Sequence, residues 1–135
     1  MKVDGGCLCG NVTYEAEIDP ARVAICHCLD CQINSGAAYG VVVSVTDGRF
    51  RLLSGTLREY EKTAQSGRVR YLSFCPNCGT RIHACSKNDP SAFFGLRVGT
   101  IRQRAQLTPA VQVWCGSALP WVSDLSAIAA HDAQG

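Results

Sequence analysis

Nine cysteines stand in this chain, and seven of them fall into three tight groups. They are Cys7 and Cys9 in Gly6-Cys7-Leu8-Cys9-Gly10, the run Cys26-His27-Cys28-Leu29-Asp30-Cys31, and Cys75 and Cys78 in Phe74-Cys75-Pro76-Asn77-Cys78-Gly79. Thiolates so spaced suit metal ligation. A two-residue gap brings the sulfurs of Cys75 and Cys78 onto one tetrahedral ion, and the glycine that follows permits the turn that aims backbone N–H groups at sulfur. Cys7 and Cys9 lie two residues apart, and in extended chain such residues share a face. The two pairs together supply four thiolates, the closed set of a structural zinc. Cys26, Cys28 and Cys31 supply only three. Three protein ligands and one open position is the catalytic arrangement of zinc. The count favours one closed and one open site. Other pairings of the groups stay open, as does completion of the triple by Cys85, Cys115, His27 or His83. A second structural zinc and a reactive dithiol are the competing readings of the triple. Cys85 and Cys115 stand alone and read as small buried apolar side chains.

Disulfides explain the pattern less well. Nine cysteines in 135 residues is about 7%, just under the density of small secreted disulfide scaffolds. An odd number cannot pair completely. The opening residues Met1-Lys2-Val3-Asp4-Gly5-Gly6 contain no apolar h-region, so the expectation is a cytoplasmic protein in a reducing compartment, where thiols stay free or bind metal. The chain is 47% apolar and 18% charged, which suits one folded domain over residues 1–135. Its net charge of +2 becomes −1 once seven thiolates hold two zinc ions. No basic stripe with interleaved aromatics appears, and no apolar run reaches the roughly 18 residues of a membrane helix. Neither nucleic acid nor a membrane is an expected partner. A homodimer is an open alternative.

The elements that must position these sulfurs read as strands. Short apolar runs recur at Val12–Ile18, Val23–Ile25, Tyr39–Val45, Phe50–Leu53, Leu57–Tyr60, Val69–Phe74, Phe93–Val98 and Val111–Trp114. Val12, Tyr14, Ala16 and Ile18 alternate with polar residues, the period of a half-buried strand. Turn signals separate the runs at Asp19-Pro20, Asp47-Gly48, Ser54-Gly55, Ser66-Gly67 and Asn88-Asp89-Pro90. The pattern predicts an all-β fold of short antiparallel strands. One or two short helices are expected, at the stretch that follows Cys28 through about Ser35 with Gly36 as its stop and at about Leu125–His131. The three cysteine groups then lie at sheet ends, with Cys7 and Cys9 ahead of the first strand.

Gly5-Gly6-Cys7-Leu8-Cys9-Gly10, Cys26-His27-Cys28-Leu29-Asp30-Cys31 and Phe74-Cys75-Pro76-Asn77-Cys78-Gly79-Thr80 resemble the signature of the glutathione-dependent formaldehyde-activating enzyme family, which includes centromere-protein-V-like proteins. The likeness runs on through Ser35-Gly36-Ala37, Gly99-Thr100-Ile101, Val113-Trp114 and Leu119-Pro120-Trp121. It implies a β-tent-like zinc-binding fold. It implies a structural zinc on Cys7, Cys9, Cys75 and Cys78, and a catalytic zinc on Cys26, Cys28 and Cys31. The implied activity is that of a carbon–sulfur lyase, an S-hydroxymethylglutathione synthase-like enzyme that adds a small-molecule thiol such as glutathione to a small aldehyde such as formaldehyde, or removes it. The chain departs from the family in carrying Arg102 after Gly99-Thr100-Ile101, where an acidic residue is common, and in its additional Cys85 and Cys115.

A thiol seated at the open position would attack a carbonyl carbon, and some group must then move a proton to or from the oxygen. His27 is the candidate catalytic residue because it sits between two ligands, although adjacent residues in extended chain point oppositely. His83 is a second candidate, and His131 reads as exposed. The two carboxylates of a glutathione-like thiol call for Arg or Lys, with Arg68, Arg70, Arg81, Arg97, Arg102 and Arg104 as candidates. Trp114 and Trp121 read as core or edge packing.

Overall fold

The computed structural model describes residues 1–134. Eight strands form one sheet: β1 Lys2–Gly6, β2 Thr13–Cys26, β3 Gly40–Ser54, β4 Arg58–Thr63, β5 Val69–Phe74, β6 Arg81–Ser86, β7 Phe94–Arg97 and β8 Val111–Val113. Their order is β1-β2-β3-β7-β6-β5-β4, all antiparallel neighbours, with β8 added parallel to β2. A single α-helix, α1, spans Leu29–Ser35, and three short 3₁₀ turns follow β7. No helix among the described residues is long and apolar enough to cross a membrane.

The alternation in β2 does what its period requires. Tyr14, Ala16 and Ile18 are buried, as is Val12 just ahead of them, and they join Val3, Val23, Val43, Val45, Ile82, Leu96, Val98, Ile101 and Leu107 in one core. Tyr14 keeps its hydroxyl satisfied there by Thr100 Oγ1 at 2.7 Å. Burial, only partly offset by that bond, pushes its phenol up to about 12.

Several expectations need correction. Cys7 and Cys9 follow a first strand, because β1 pairs residue by residue with β2. Strand β6 was not expected, since Ile82, His83, Ala84 and Cys85 are all buried and leave no alternation to read. Asp19-Pro20 and Asp47-Gly48 do not reverse the chain. Instead Val12–Ile18 and Val23–Ile25 run on as β2, and Tyr39–Val45 and Phe50–Leu53 as β3. The turn signals fall in register irregularities on either side of the Ile18↔Val45 pair, Asp19-Pro20 in β2 and Asp47-Gly48 in β3, where Asp47 and Gly48 take φ of +48° and +67°. No helix forms over Leu125–His131. Leu125 and Ile128 are exposed with no surface to cover, and a run this short does not hold a helix without packing. Trp114 and Trp121 stay half exposed instead of entering the core, and Cys115 is exposed. Cys85 is buried, and burial pushes its thiol up.

Candidate metal centres

The sheet delivers the seven cysteines as two clusters. The first is Cys7, Cys9, Cys75 and Cys78, whose sulfurs lie within 4.8 Å of one another. It joins the β1–β2 turn to the β5–β6 turn. Two tight backbone bonds build the second turn: Cys75 N–H donates to Thr80 O, and Gly79 N–H to Cys75 O, both at 2.9 Å. Gly10 and Gly79, each one residue past a cysteine pair, take φ of +82° and +77°, a conformation costly for a residue with a Cβ. Sulfur receives donors on both sides: Val12 N–H donates to Cys7 Sγ at 3.2 Å, and Thr80 Oγ1 lies 3.1 Å from Cys78 Sγ. The Thr80 hydroxyl, with the Thr80 and Cys9 N–H groups, draws the Cys78 thiol down to about 5.

Geometry in this cluster suits a metal. Zinc–sulfur bonds of about 2.3 Å place tetrahedral sulfurs about 3.8 Å apart. Cys7 and Cys9 sulfurs stand 3.5 Å apart, and Cys9 and Cys75 sulfurs 3.9 Å. An all-thiolate donor set is the soft, closed type that zinc takes.

The second cluster is Cys26, Cys28 and Cys31, again within 4.8 Å of one another and each half-buried. None of Cys85, Cys115, His27 or His83 joins it. Cys26 ends β2, clamped between Gly40 of β3 and Val113 of β8. Cys28 caps α1, its sulfur accepting from Cys31 N–H at 3.3 Å. Gly36, in the left-handed region at φ +64°, ends the helix where expected. The helix is fixed from outside. Gln32 Nε2 donates to His27 O at 2.9 Å and Ser117 O at 3.0 Å, Arg81 Nε donates to Asn34 O at 3.3 Å, and Lys62 pairs with Asp30.

Charge in this cluster is divided unevenly. The Cys31 thiol's hydrogen bond, with Cys28 donors and the charge of Arg97, draws Cys26 down to about 5 against the effect of burial. Cys31 is pushed far up, first by its bond to Cys26 and then by burial.

The candidate histidines are held elsewhere. His27 is buried; its Nε2 lies 2.8 Å from Gln112 Oε1, its ring stands edge-on to Tyr39, and its Nδ1 has no partner. His83 is buried between Phe50 and Phe94, and burial, aided by the charge of Arg97, pushes it down to about 4. His131 is exposed. Of the arginines, Arg70 bonds Ser86 Oγ and lies over Phe93, Arg81 lies over Phe74, Arg104 bonds Ile101 O, and Arg68 is exposed. Arg102, the departure from the family pattern, makes a two-pronged pair with Asp4 at 2.6 and 2.9 Å. Arg97 alone stands beside the three-cysteine cluster. It was one of six candidates in sequence, and its position could be found only from the strand register.

The model of the glutathione-dependent formaldehyde-activating enzyme family matches residues 2–117. This chain belongs to that family. An uncharacterized lyase of Schizosaccharomyces pombe is 25% identical over 91 residues, which are 67% of this chain and 63% of the relative, so the chain spans under two thirds of that protein. A crystal structure of a Rhodobacter sphaeroides protein shares the fold, with a TM-score of 0.62 at 21% identity over 81% of this chain and 98% of that one.

Proposed function

We propose that this chain is a zinc-dependent carbon–sulfur lyase of the S-hydroxymethylglutathione synthase type, cytoplasmic, joining a thiol such as glutathione to a small aldehyde such as formaldehyde or releasing it. The observation that carries this reading is the unequal pair of clusters: four sulfurs form one set, and three sulfurs with no fourth protein ligand among the described residues form the other. In this reading Cys7, Cys9, Cys75 and Cys78 hold a structural zinc. Cys26, Cys28 and Cys31 hold a second, labile zinc, which when bound supplies a Lewis acid that keeps a substrate thiol ionised near neutral pH.

The chain's own residues supply the rest. Strand β2, held on both sides, fixes Cys26. The cap of α1 fixes Cys28 relative to Cys31. His27 belongs to the support of this loop: its Gln112 contact and its N–H bond to Val113 O at 3.0 Å tie the ligand run to β8. With His27 and His83 both packed away from the sulfurs, proton exchange at the substrate oxygen passes to water.

Paired variants test the assignment. Cys31→Ser should abolish formation of the glutathione–formaldehyde adduct while thermal unfolding stays cooperative and close to that of the parent. Cys78→Ser should lose the cooperative transition itself, because the first cluster ties residue 7 to residue 78. Equal unfolding of both variants would make both metals structural and the chain a zinc-stapled binding module. A metal-free, reversible disulfide within the triple would instead mark a thiol redox protein.

A further inference from the structure

Arg97 is the cation that the three-cysteine cluster faces, and the register explains how. Cys26 on β2 lies opposite Gly40 on β3, and two residues further along Val42 lies opposite Arg97 on β7. Gly40 has no side chain to fill the space between. A Cβ built there would stand 3.1 Å from Arg97 Nη1 and 3.6 Å from Cys31 Sγ, so guanidinium and sulfur border one opening. Arg70, Arg81, Arg102 and Arg104 all spend guanidinium N–H groups on protein acceptors. Arg97 is half-buried, and its guanidinium has no ion-pair partner among the described residues. A half-buried guanidinium that meets no carboxylate keeps N–H donors to spare beside the sulfurs.

We propose that Arg97 is a catalytic residue that holds the oxygen of the thiol–aldehyde adduct. The assignment rests on the lyase reading above. In the forward step the sulfur lone pair forms the C–S bond and the C=O π pair moves onto oxygen. The N–H groups of Arg97 hold that oxyanion until water delivers a proton. In reverse the hydroxyl proton leaves to water, C=O re-forms, and the C–S pair returns to sulfur. Neither direction consumes an oxidant or reductant. A preorganised donor aimed at developing charge is the ordinary means of lowering such a barrier.

The test is calorimetric binding of two small probes to zinc-loaded protein. Thioacetate carries sulfur and oxygen on one carbon, as the adduct does, and ethanethiol lacks the oxygen. Arg97→Gln should weaken thioacetate about 10- to 100-fold and leave ethanethiol within about twofold, with kcat falling and the KM for thiol unchanged. Arg97→Lys, which keeps the charge without the planar fork, should fall between and decides the matter should the glutamine variant fail to fold. An equal loss for both probes would reduce Arg97 to charge balance around the sulfurs and overturn the assignment, as would no loss for either. Parent protein that binds neither probe would overturn the thiol-site reading itself and this assignment with it.

Discussion

At the scale of single residues, burial decides what each titratable group can do. His27 and His83 were the candidate proton carriers, yet each is enclosed, and each has an Nδ1 without a partner. For His83 the enclosure has a cost that pH reveals. Its folded-state value of about 4 lies below the ordinary 6.5, so the native form resists the proton that the unfolded chain accepts. Its contribution is complete above pH 6.5 and is lost progressively as pH falls toward 4, by about 3 kcal/mol. His83→Leu should flatten that acid slope relative to the parent in denaturant melts at pH 7, 6, 5 and 4. Parallel slopes in both proteins would contradict the burial argument. The cysteines follow the same logic with opposite needs. Cys26 and Cys78 sit among donors and are drawn toward thiolate, whereas Cys85 has none and stays a protonated, apolar side chain.

At the scale of elements, the three-cysteine loop is built from parts far apart in sequence. Gln32 joins α1 to the 3₁₀ turn Cys115–Ser117, and Gln112 joins β8 to His27. Gln32→Ala removes two hydrogen bonds at a partly exposed site and should cost about 1 kcal/mol. Amide exchange at Ser117 and Ala118 should quicken while exchange in β6 does not change. Uniform quickening would mean that Gln32 supports the whole fold and not this strap.

These long-range ties were also the hardest features to foresee. The alternation of β2 and the glycine stop of α1 are local signals that the structure matches, whereas the cysteine spacing groups the sulfurs but does not show that strand β1 precedes Cys7 and Cys9. Strand β6 is buried along its middle and leaves no period. The pairing of β2 with β8 depends on a segment more than eighty residues away. The excursions at Asp19-Pro20 and Asp47-Gly48 read as hairpin turns because their local chemistry is the same; only the facing partner strand shows that the chain continues onward. Leu125 and Ile128 carry helical spacing, but no surface receives them.

At the scale of the whole molecule, two cysteine clusters lie at opposite ends of β2. The four-cysteine set brings the first turn of the sheet to the β5–β6 turn. The three-cysteine set, at the other end of β2, is held by the Gln32 strap, the short helix α1 and the pairing of Cys26 with Gly40. Under the proposed function, closure of the first set and openness of the second would make two zinc ions unequal in number of protein bonds. A native mass spectrum of zinc-loaded protein, recorded with and without glutathione, tests it most directly. Two zinc ions should be present in the parent, with a glutathione adduct that disappears, along with the second zinc, in Cys28→Ser. Two zinc ions that persist in Cys28→Ser, or a glutathione adduct unaffected by that substitution, would contradict the open three-cysteine site.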